Sequence, residues 1–151
     1  MLSKAAKAYK PGIGVYRSSI KNAQRLARTE INIAYRTADY ERWQELDFVV
    51  GYEIKLSNNP NHCPMCERLK GKYPKWFKFT GWHPQCRCFM IPILISDSDF
   101  QKNLLKKKYS SSKEVKVLPK NFTDWIRANK EKINKSAPYF IKDNPKVLES
   151  A

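Results

Sequence analysis

The chain has 151 residues, an ordinary length for one domain, and its 42% hydrophobic and 13% aromatic content excludes a wholly disordered protein. Lys and Arg number 29 against 14 Asp and Glu, which gives a formal net charge of +15. Such an excess favours a polyanionic partner, nucleic acid or an acidic protein surface, over a basic surface without binding function.

Membrane insertion and export are not expected for this sequence. It has no apolar run of the roughly 18 to 20 residues that a membrane span needs, and its first residues lack the apolar centre of a secretory signal. We therefore expect a protein that is not secreted and works in a reducing compartment. In such a compartment, closely spaced cysteines are more often metal ligands than disulfide partners.

The first element in chain order is a long helix that follows a flexible lead-in at 1–16. It begins near Ser18 or Ser19, and almost thirty residues then pass without Pro or Gly. One set of small and apolar residues recurs every three or four positions, which predicts a helical face suited to close packing. Arginines, including Arg28 and Arg36, are expected on the opposite side. The apolar set is Ile20, Ala23, Ala27, Ile31, Ala34 and Ala38.

Two strands are expected on either side of the central segment. Residues 48–56 alternate with period two, which predicts a strand with one buried face. Residues 89–95 form a short apolar run in which Pro92 lacks a ladder donor, so this strand should be irregular or lie at a sheet edge.

The last third is expected to contain a short helix at 97–109, a linker at 110–113 and a helix from about 121 to 134, followed by irregular chain. The sequence thus predicts an α+β fold: a long N-terminal helix packed on a small antiparallel sheet closed by a zinc-knuckle-like cluster, plus a C-terminal helix. Residues 17–95 would carry the metal cluster, and 96–151 would form a basic linker and C-terminal helical segment.

All four cysteines and both histidines fall within residues 62–88. Cys63 and Cys66 have the two-residue separation that clamps one side of a tetrahedral ion, and Cys86 and Cys88, with His83 upstream, offer the other side. Thiolates with an imidazole suit zinc better than the oxygen-preferring magnesium or calcium. We expect one structural zinc ion and assign no catalytic residue.

Five candidate ligands compete for four positions. Cys63 and Cys66 are expected to bind, together with two of the other three candidates. An extended segment would aim Cys86 and Cys88 to one side, whereas a ligand pair of His83 and Cys86 needs a turn at Pro84, so the choice stays open. His62 is expected to be a surface residue or a neighbour of the ligands.

Two further interpretations concern the same region. A nucleophilic cysteine would use His83 as its base and an asparagine among 58–61 to orient it, but this explains only one of the four thiols. The aromatic residues of 73–82, interleaved with lysines, have the composition of a base-stacking surface or of a lid folded over a metal-held core. We favour the lid.

The order of these motifs resembles a known family. ARTEINIAYRTA at 27–38 precedes a strand, then HCPMCERLKGKYP at 62–74, then FTGWHPQCRC at 79–88 and an apolar strand. Over roughly residues 17–95 this is similar to the phage Mu F-like minor head, or head-morphogenesis, proteins. The resemblance implies a non-enzymatic protein of phage or prophage, carried in few copies near the portal, that assists head assembly and DNA packaging or delivery.

The same resemblance implies portal or other capsid proteins as partners, with DNA as a further partner through the basic surface. It also implies location in the virion or the host cytoplasm, and neither a membrane nor a small-molecule substrate is expected. The alternatives are a zinc-containing nucleic-acid-binding module and a nuclease or toxin-like effector. Salt-dependent DNA binding without affinity for capsid proteins would favour the first. The second is weakened because the chain has only two histidines.

Overall fold

The computed structural model describes residues 18–58, 60, 63–103 and 111–149. The predicted lead-in at 1–16, His62 and the segment 104–110 lie outside the described residues. The fold class is α+β, as predicted. The elements are α1 (Ser19–Glu45), β1 (Val49–Lys55), α2 (Pro64–Leu69), β2 (Gly71–Tyr73), β3 (Phe89–Leu94), α3 (Asp97–Asn103), α4 (Lys120–Ala128), α5 (Lys130–Lys135), α6 (Tyr139–Lys142) and α7 (Lys146–Glu149).

The sheet is antiparallel, with strand order β2-β1-β3. Tyr52 at its centre pairs with Tyr73 on one side and Pro92 on the other. The proline thus lies on an edge strand, as its missing donor predicted. The register shifts between Val49 and Gly51. Residues 49–52 are all buried and Phe48 is 38% exposed, so the expectation of a single buried face over 48–56 is wrong.

The segment after α3 lies against the middle strand. The backbone N–H of Val115 donates to the carbonyl of Val50 at 3.1 Å. A Cβ at Gly51 would meet Val115 Cγ2 at 2.9 Å, so this close approach requires glycine. The chain just after the predicted linker at 110–113 is therefore anchored on the sheet. The linker itself is bound to α3, because Ser111 and Ser112 donate to the Asp99 carboxylate.

The long helix turns the opposite face inward from the one predicted. The apolar stripe is exposed, with Ile20 at 69% and Ile31 at 55% of full exposure, while Arg36 is buried at 9%. The expectation that Arg36 lies on the exposed side is wrong. The reason is that the opposite face contacts the rest of the fold: Arg36 donates to distant backbone carbonyls, and Trp43 packs against Tyr52 of β1.

An aromatic core lies beside the sheet and is completed by the C-terminal helices. Its rings are almost fully buried, and they come from both the central segment and the last third of the chain. The interpretation of the central aromatic residues as a lid over the core agrees with this burial. We call this cluster the aromatic core; it consists of Tyr73, Phe77, Phe79, Trp82, Phe122 and Phe140.

The predicted C-terminal helix is present but is divided into α4 and α5 at Asn129. The irregular chain expected beyond it is wrong, because α6 and α7 form there. Pro138 caps α6 and Pro145 immediately precedes α7, positions at which proline is compatible with a helix start. No helix within the described ranges combines the length and the hydropathy that a membrane span requires.

Candidate metal centre

The first cysteine pair is held by the start of α2. Cys63 is the N-cap of this helix, and its Sγ accepts the backbone N–H of Cys66 at 3.3 Å. Pro64 occupies the first helical position, where its missing N–H removes no hydrogen bond. This turn brings the two Sγ atoms to 3.3 Å from each other, so the C-P-M-C sequence places both thiols on one side.

The second group of candidates lies on a tight turn between β2 and β3. The backbone N–H of Cys86 donates to the carbonyl of His83 at 3.1 Å, and Gln85 has the left-handed φ of 59°. A side chain in that region is uncommon and marks an imposed conformation. The Gln85 N–H is bound by Thr29 Oγ1 of α1 at 3.1 Å. The turn that a His83–Cys86 ligand pair requires is therefore present.

The imidazole of His83 is oriented toward the first cysteine pair. Its Nδ1 lies 2.8 Å from the carbonyl of Pro84, which can only accept, so Nδ1 carries the proton in the neutral ring. Nε2 then has a free lone pair, 3.2 Å from Cys63 Sγ and 3.0 Å from Cys66 Sγ. A histidine held at one nitrogen by a carbonyl and presenting the other is the usual arrangement of a metal ligand.

Cys66 links the two groups of candidates. Its Sγ is 3.9 Å from that of Cys86, and the Sγ atoms of Cys66, Cys86 and Cys88 all lie within 4.8 Å of one another. The ligand atoms of Cys63, Cys66 and His83 meet the same limit. The five predicted residues are thus brought together and could hold a metal ion. We call them the cysteine cluster: Cys63, Cys66, His83, Cys86 and Cys88.

The electrostatics of the cysteine cluster suit a cation. Hydrogen bonds from the Cys66 and Cys88 thiols, followed by the backbone N–H groups of Trp82 and Cys88, hold the pKa of Cys86 well below its usual range. The hydrogen bond to Cys86, with further contributions from Cys88 and burial, raises the pKa of Cys66. Several thiolates this close repel one another, and a cation among them removes that repulsion. The donor set of sulfur and imidazole nitrogen matches zinc-type ions.

Arg36 fastens the long helix to the cysteine cluster, a role that the sequence analysis missed. Its Nη1 donates to the Thr80 carbonyl at 2.8 Å, and its Nη2 donates to the carbonyls of Cys86 at 2.6 Å and Cys88 at 2.7 Å. The guanidinium also lies 5.2 Å from the ring centroid of Phe79.

Gly81 makes room for this guanidinium. Its φ is +125°, and a Cβ there would lie 2.7 Å from Nη1 of Arg36. One sequence signal could have indicated the inward side of the helix: a second stripe, polar and aromatic, runs parallel to the apolar one at the same spacing. It contains Asn22, Arg25, Thr29, Asn32, Arg36, Tyr40 and Trp43.

The remaining candidates give a mixed result. His62, Asn59 and Asn61 lie outside the described residues, so the structure does not place them. The cysteines that it does place are all free thiols rather than disulfides.

Comparisons of the chain with protein-family models, with curated protein sequences and with solved structures find no match.

Proposed function

We propose that the chain is a non-enzymatic minor head protein of a phage or prophage, in which a zinc-centred domain assists capsid assembly and DNA packaging or delivery. The observation that carries the proposal is the contact between the two motifs of the resemblance. Thr29 and Arg36 of the helical motif bind the backbone of Gln85, Cys86 and Cys88 in the HPQCRC motif. Two motifs separated by about fifty residues therefore form one structural unit, which supports treating them together as the basis of the proposal.

We further propose that the ligands are Cys63, Cys66, His83 and Cys86. The Nε2 atom of His83 approaches both sulfurs of the first pair, and Cys86 Sγ lies 3.9 Å from Cys66 Sγ. The backbone N–H groups of Trp82 and Cys88 also help to lower the pKa of Cys86, which favours the thiolate form that binds a metal. Cys88 would then be a close neighbour of the site.

Four protein ligands would leave no coordination position for water, so the role of the ion would be structural. When bound, zinc would supply four strong bonds that join α2 to the turn between β2 and β3. The chain's own residues prepare this arrangement: Cys63 caps α2, Pro64 starts it, and Arg36 holds the carbonyls of the turn. Within the described residues the sheet has three strands, so four bonds to a metal would contribute much of the local stability.

An enzymatic role is the main alternative. The 3.2 Å separation of Cys63 Sγ and His83 Nε2 is within reach of a nucleophile–base pair. However, the same nitrogen is closer to Cys66, and a nucleophile leaves the other thiols without a role. Zinc ligation accounts for the whole cysteine cluster. Nuclease activity would need to disappear in His62→Ala and His83→Ala variants to be assigned to this chain.

Head incorporation tests the proposed function. Mass spectrometry of purified heads from the phage or prophage that encodes the chain should detect it in few copies, copurifying with the portal. A Cys66→Ser variant should be lost from heads, whereas Cys88→Ser, the matched control, should be retained. Absence of the unmodified chain from heads and portal complexes, with salt-dependent DNA binding intact, would instead favour a nucleic-acid-binding module.

A further inference from the structure

We propose that a groove between α1 and the start of β3 binds a single strand of nucleic acid, with Arg28 and Arg87 contacting phosphates and Tyr35 stacking on a base. The groove has two adjoining parts, with volumes of about 210 and 390 Å³, which share Asn32 and Arg87 as lining residues. The inference rests on the proposed function, which gives DNA as a partner, and adds the place and form of the contact.

Two arginines in the groove are available for an anion. Arg28 comes from α1 and Arg87 from the cysteine-bearing turn, and both are exposed. Within the described part of the chain, neither guanidinium has an ion pair or a hydrogen bond to a side chain or backbone group. Guanidinium groups bind phosphate oxygens through paired hydrogen bonds, so two of them on opposite walls suit a phosphodiester backbone.

Two exposed rings lie in the wider part of the groove. Tyr35 is 71% and Phe89 is 44% exposed, and the Tyr35 hydroxyl has no hydrogen bond within the described residues. An acidic peptide would supply carboxylates for the arginines but no flat surface for these rings. An unpaired base supplies such a surface, because stacking on aromatic side chains is a general mode of single-strand binding.

The remaining charged groups in the groove indicate which end would hold phosphates and which end would hold a base. Arg36 lines the wider part, but its donors are used by three backbone carbonyls. Asp39 is the carboxylate lining that part, and it would repel a phosphate there. Phosphates are therefore expected at the narrower end, beside Arg28 and Arg87, and a base at the end with Tyr35.

The groove also depends on the cysteine cluster. Arg87 lies between Cys86 and Cys88, whose carbonyls are held by Arg36. The position of Arg87 is thus set by the same turn that presents the proposed zinc ligands. Loss of zinc should weaken binding, while substitution of Arg28, Arg87 or Tyr35 should leave the zinc content unchanged.

The test is fluorescence anisotropy of the full zinc-loaded chain with a labelled oligothymidylate of about 15 nucleotides, within the site sizes of single-strand binders. Replacing both Arg28 and Arg87 by Ala should weaken binding about tenfold and reduce the slope of log affinity against log salt by about 1.4, or 0.7 for each phosphate contact. Tyr35→Ala should weaken binding about fivefold or more, and Tyr35→Trp should restore it.

The matched control removes two positive charges elsewhere, by replacing Lys132 and Lys135 of α5 with Ala. It should weaken binding less than twofold, since these residues do not line the groove. An equal loss in the control would mean diffuse charge attraction and would overturn the inference. So would equal affinity for polyglutamate, or tight duplex binding that is insensitive to Tyr35→Ala. Zinc content measured on every sample separates these results from a failure of the proposed zinc centre.

Discussion

The aromatic core and the cysteine cluster lie side by side, but different interactions organise them. In the aromatic core, Trp82 lies between Phe79 and Phe140, with ring centroids 4.8 and 5.2 Å apart, and burial of apolar surface supplies the stability. In the cysteine cluster, Arg36 donates hydrogen bonds to the carbonyls of Cys86 and Cys88, and nearby backbone N–H groups stabilise the Cys86 thiolate. The stability of the aromatic core should therefore depend on the volume of its side chains. The stability of the cysteine cluster should depend on the Arg36 charge and on the bound metal.

Trp82 joins the two regions. Its ring belongs to the aromatic core, while its backbone N–H helps to lower the pKa of the Cys86 thiol. In this small domain the polar cysteine cluster is therefore attached directly to the aromatic core. Loss of the metal should therefore disrupt the aromatic core as well, whereas a truncation within the aromatic core should leave zinc binding intact, and the following variants measure both effects.

Removal of the metal should have the largest effect. We expect a strong chelator, or Cys63→Ser or Cys66→Ser, to abolish cooperative unfolding. The reason is that zinc binding to small zinc domains contributes about 10 to 16 kcal/mol, comparable with the whole stability of a domain. Near-ultraviolet circular dichroism and thermal unfolding provide the measurement. Chelated protein that retains a sharp transition would show that the aromatic core stands without the ion.

Truncation inside the aromatic core should come next. Phe122 contacts Tyr73, Phe77 and Trp82, with ring centroids between 5.4 and 5.8 Å, so Phe122→Ala should cost about 3 to 5 kcal/mol. Zinc content should stay the same, because no proposed ligand is touched. Urea unfolding followed with elemental analysis checks both points. Phe122→Leu serves as the conservative control, and its free energy of unfolding should fall much less.

Weakening the hydrogen bonds between α1 and the cysteine cluster should reduce the stability by a smaller amount. Arg36→Lys keeps the charge but cannot reproduce the fork of hydrogen bonds to three carbonyls, so we expect a loss of about 2 kcal/mol and weaker zinc affinity. The control is Arg42→Lys on the exposed part of the same helix, expected within about 0.5 kcal/mol of the original. Equal losses in the two variants would contradict the role given to Arg36.

Alkaline pH should produce the smallest change, and it concerns the aromatic core. Burial, with a smaller contribution from Cys88, raises the pKa of Tyr73 above its usual value of 10.0, and the protonated hydroxyl donates to the Leu69 carbonyl at 2.7 Å. A raised pKa in the folded state means that this contribution is complete below about pH 10 and declines as pH rises further. The free energy of unfolding should therefore fall above that pH, and more gently in Tyr73→Phe.

The sequence was sufficient for features that depend on local pattern. Period-two alternation located β1, Pro92 indicated an edge strand, and the spacing of Cys63 and Cys66 indicated a turn with both thiols on one side. These three predictions are confirmed because each feature depends on a few residues that are neighbours in the sequence. The α+β class followed from the same patterns.

The orientation of α1 could not be predicted in this way. Hydropathy assigns Ile20 and Ile31 to the interior, but the carbonyls that bind Arg36 come together only when residues 80–88 have folded into their turn. The helices at 139–149 were missed for a related reason. Proline generally signals an interruption of a helix, but Pro138 and Pro145 each lie at a helix start, where proline is compatible with the helix.

The most direct test of the central claim is elemental analysis of the purified full chain combined with the absorption spectrum of its cobalt-substituted form. We predict one zinc ion per chain and, with cobalt, a tetrahedral spectrum that weakens in Cys86→Ser and is unchanged in Cys88→Ser. A folded, metal-free chain, or one whose metal content survives the loss of Cys66, would contradict the account.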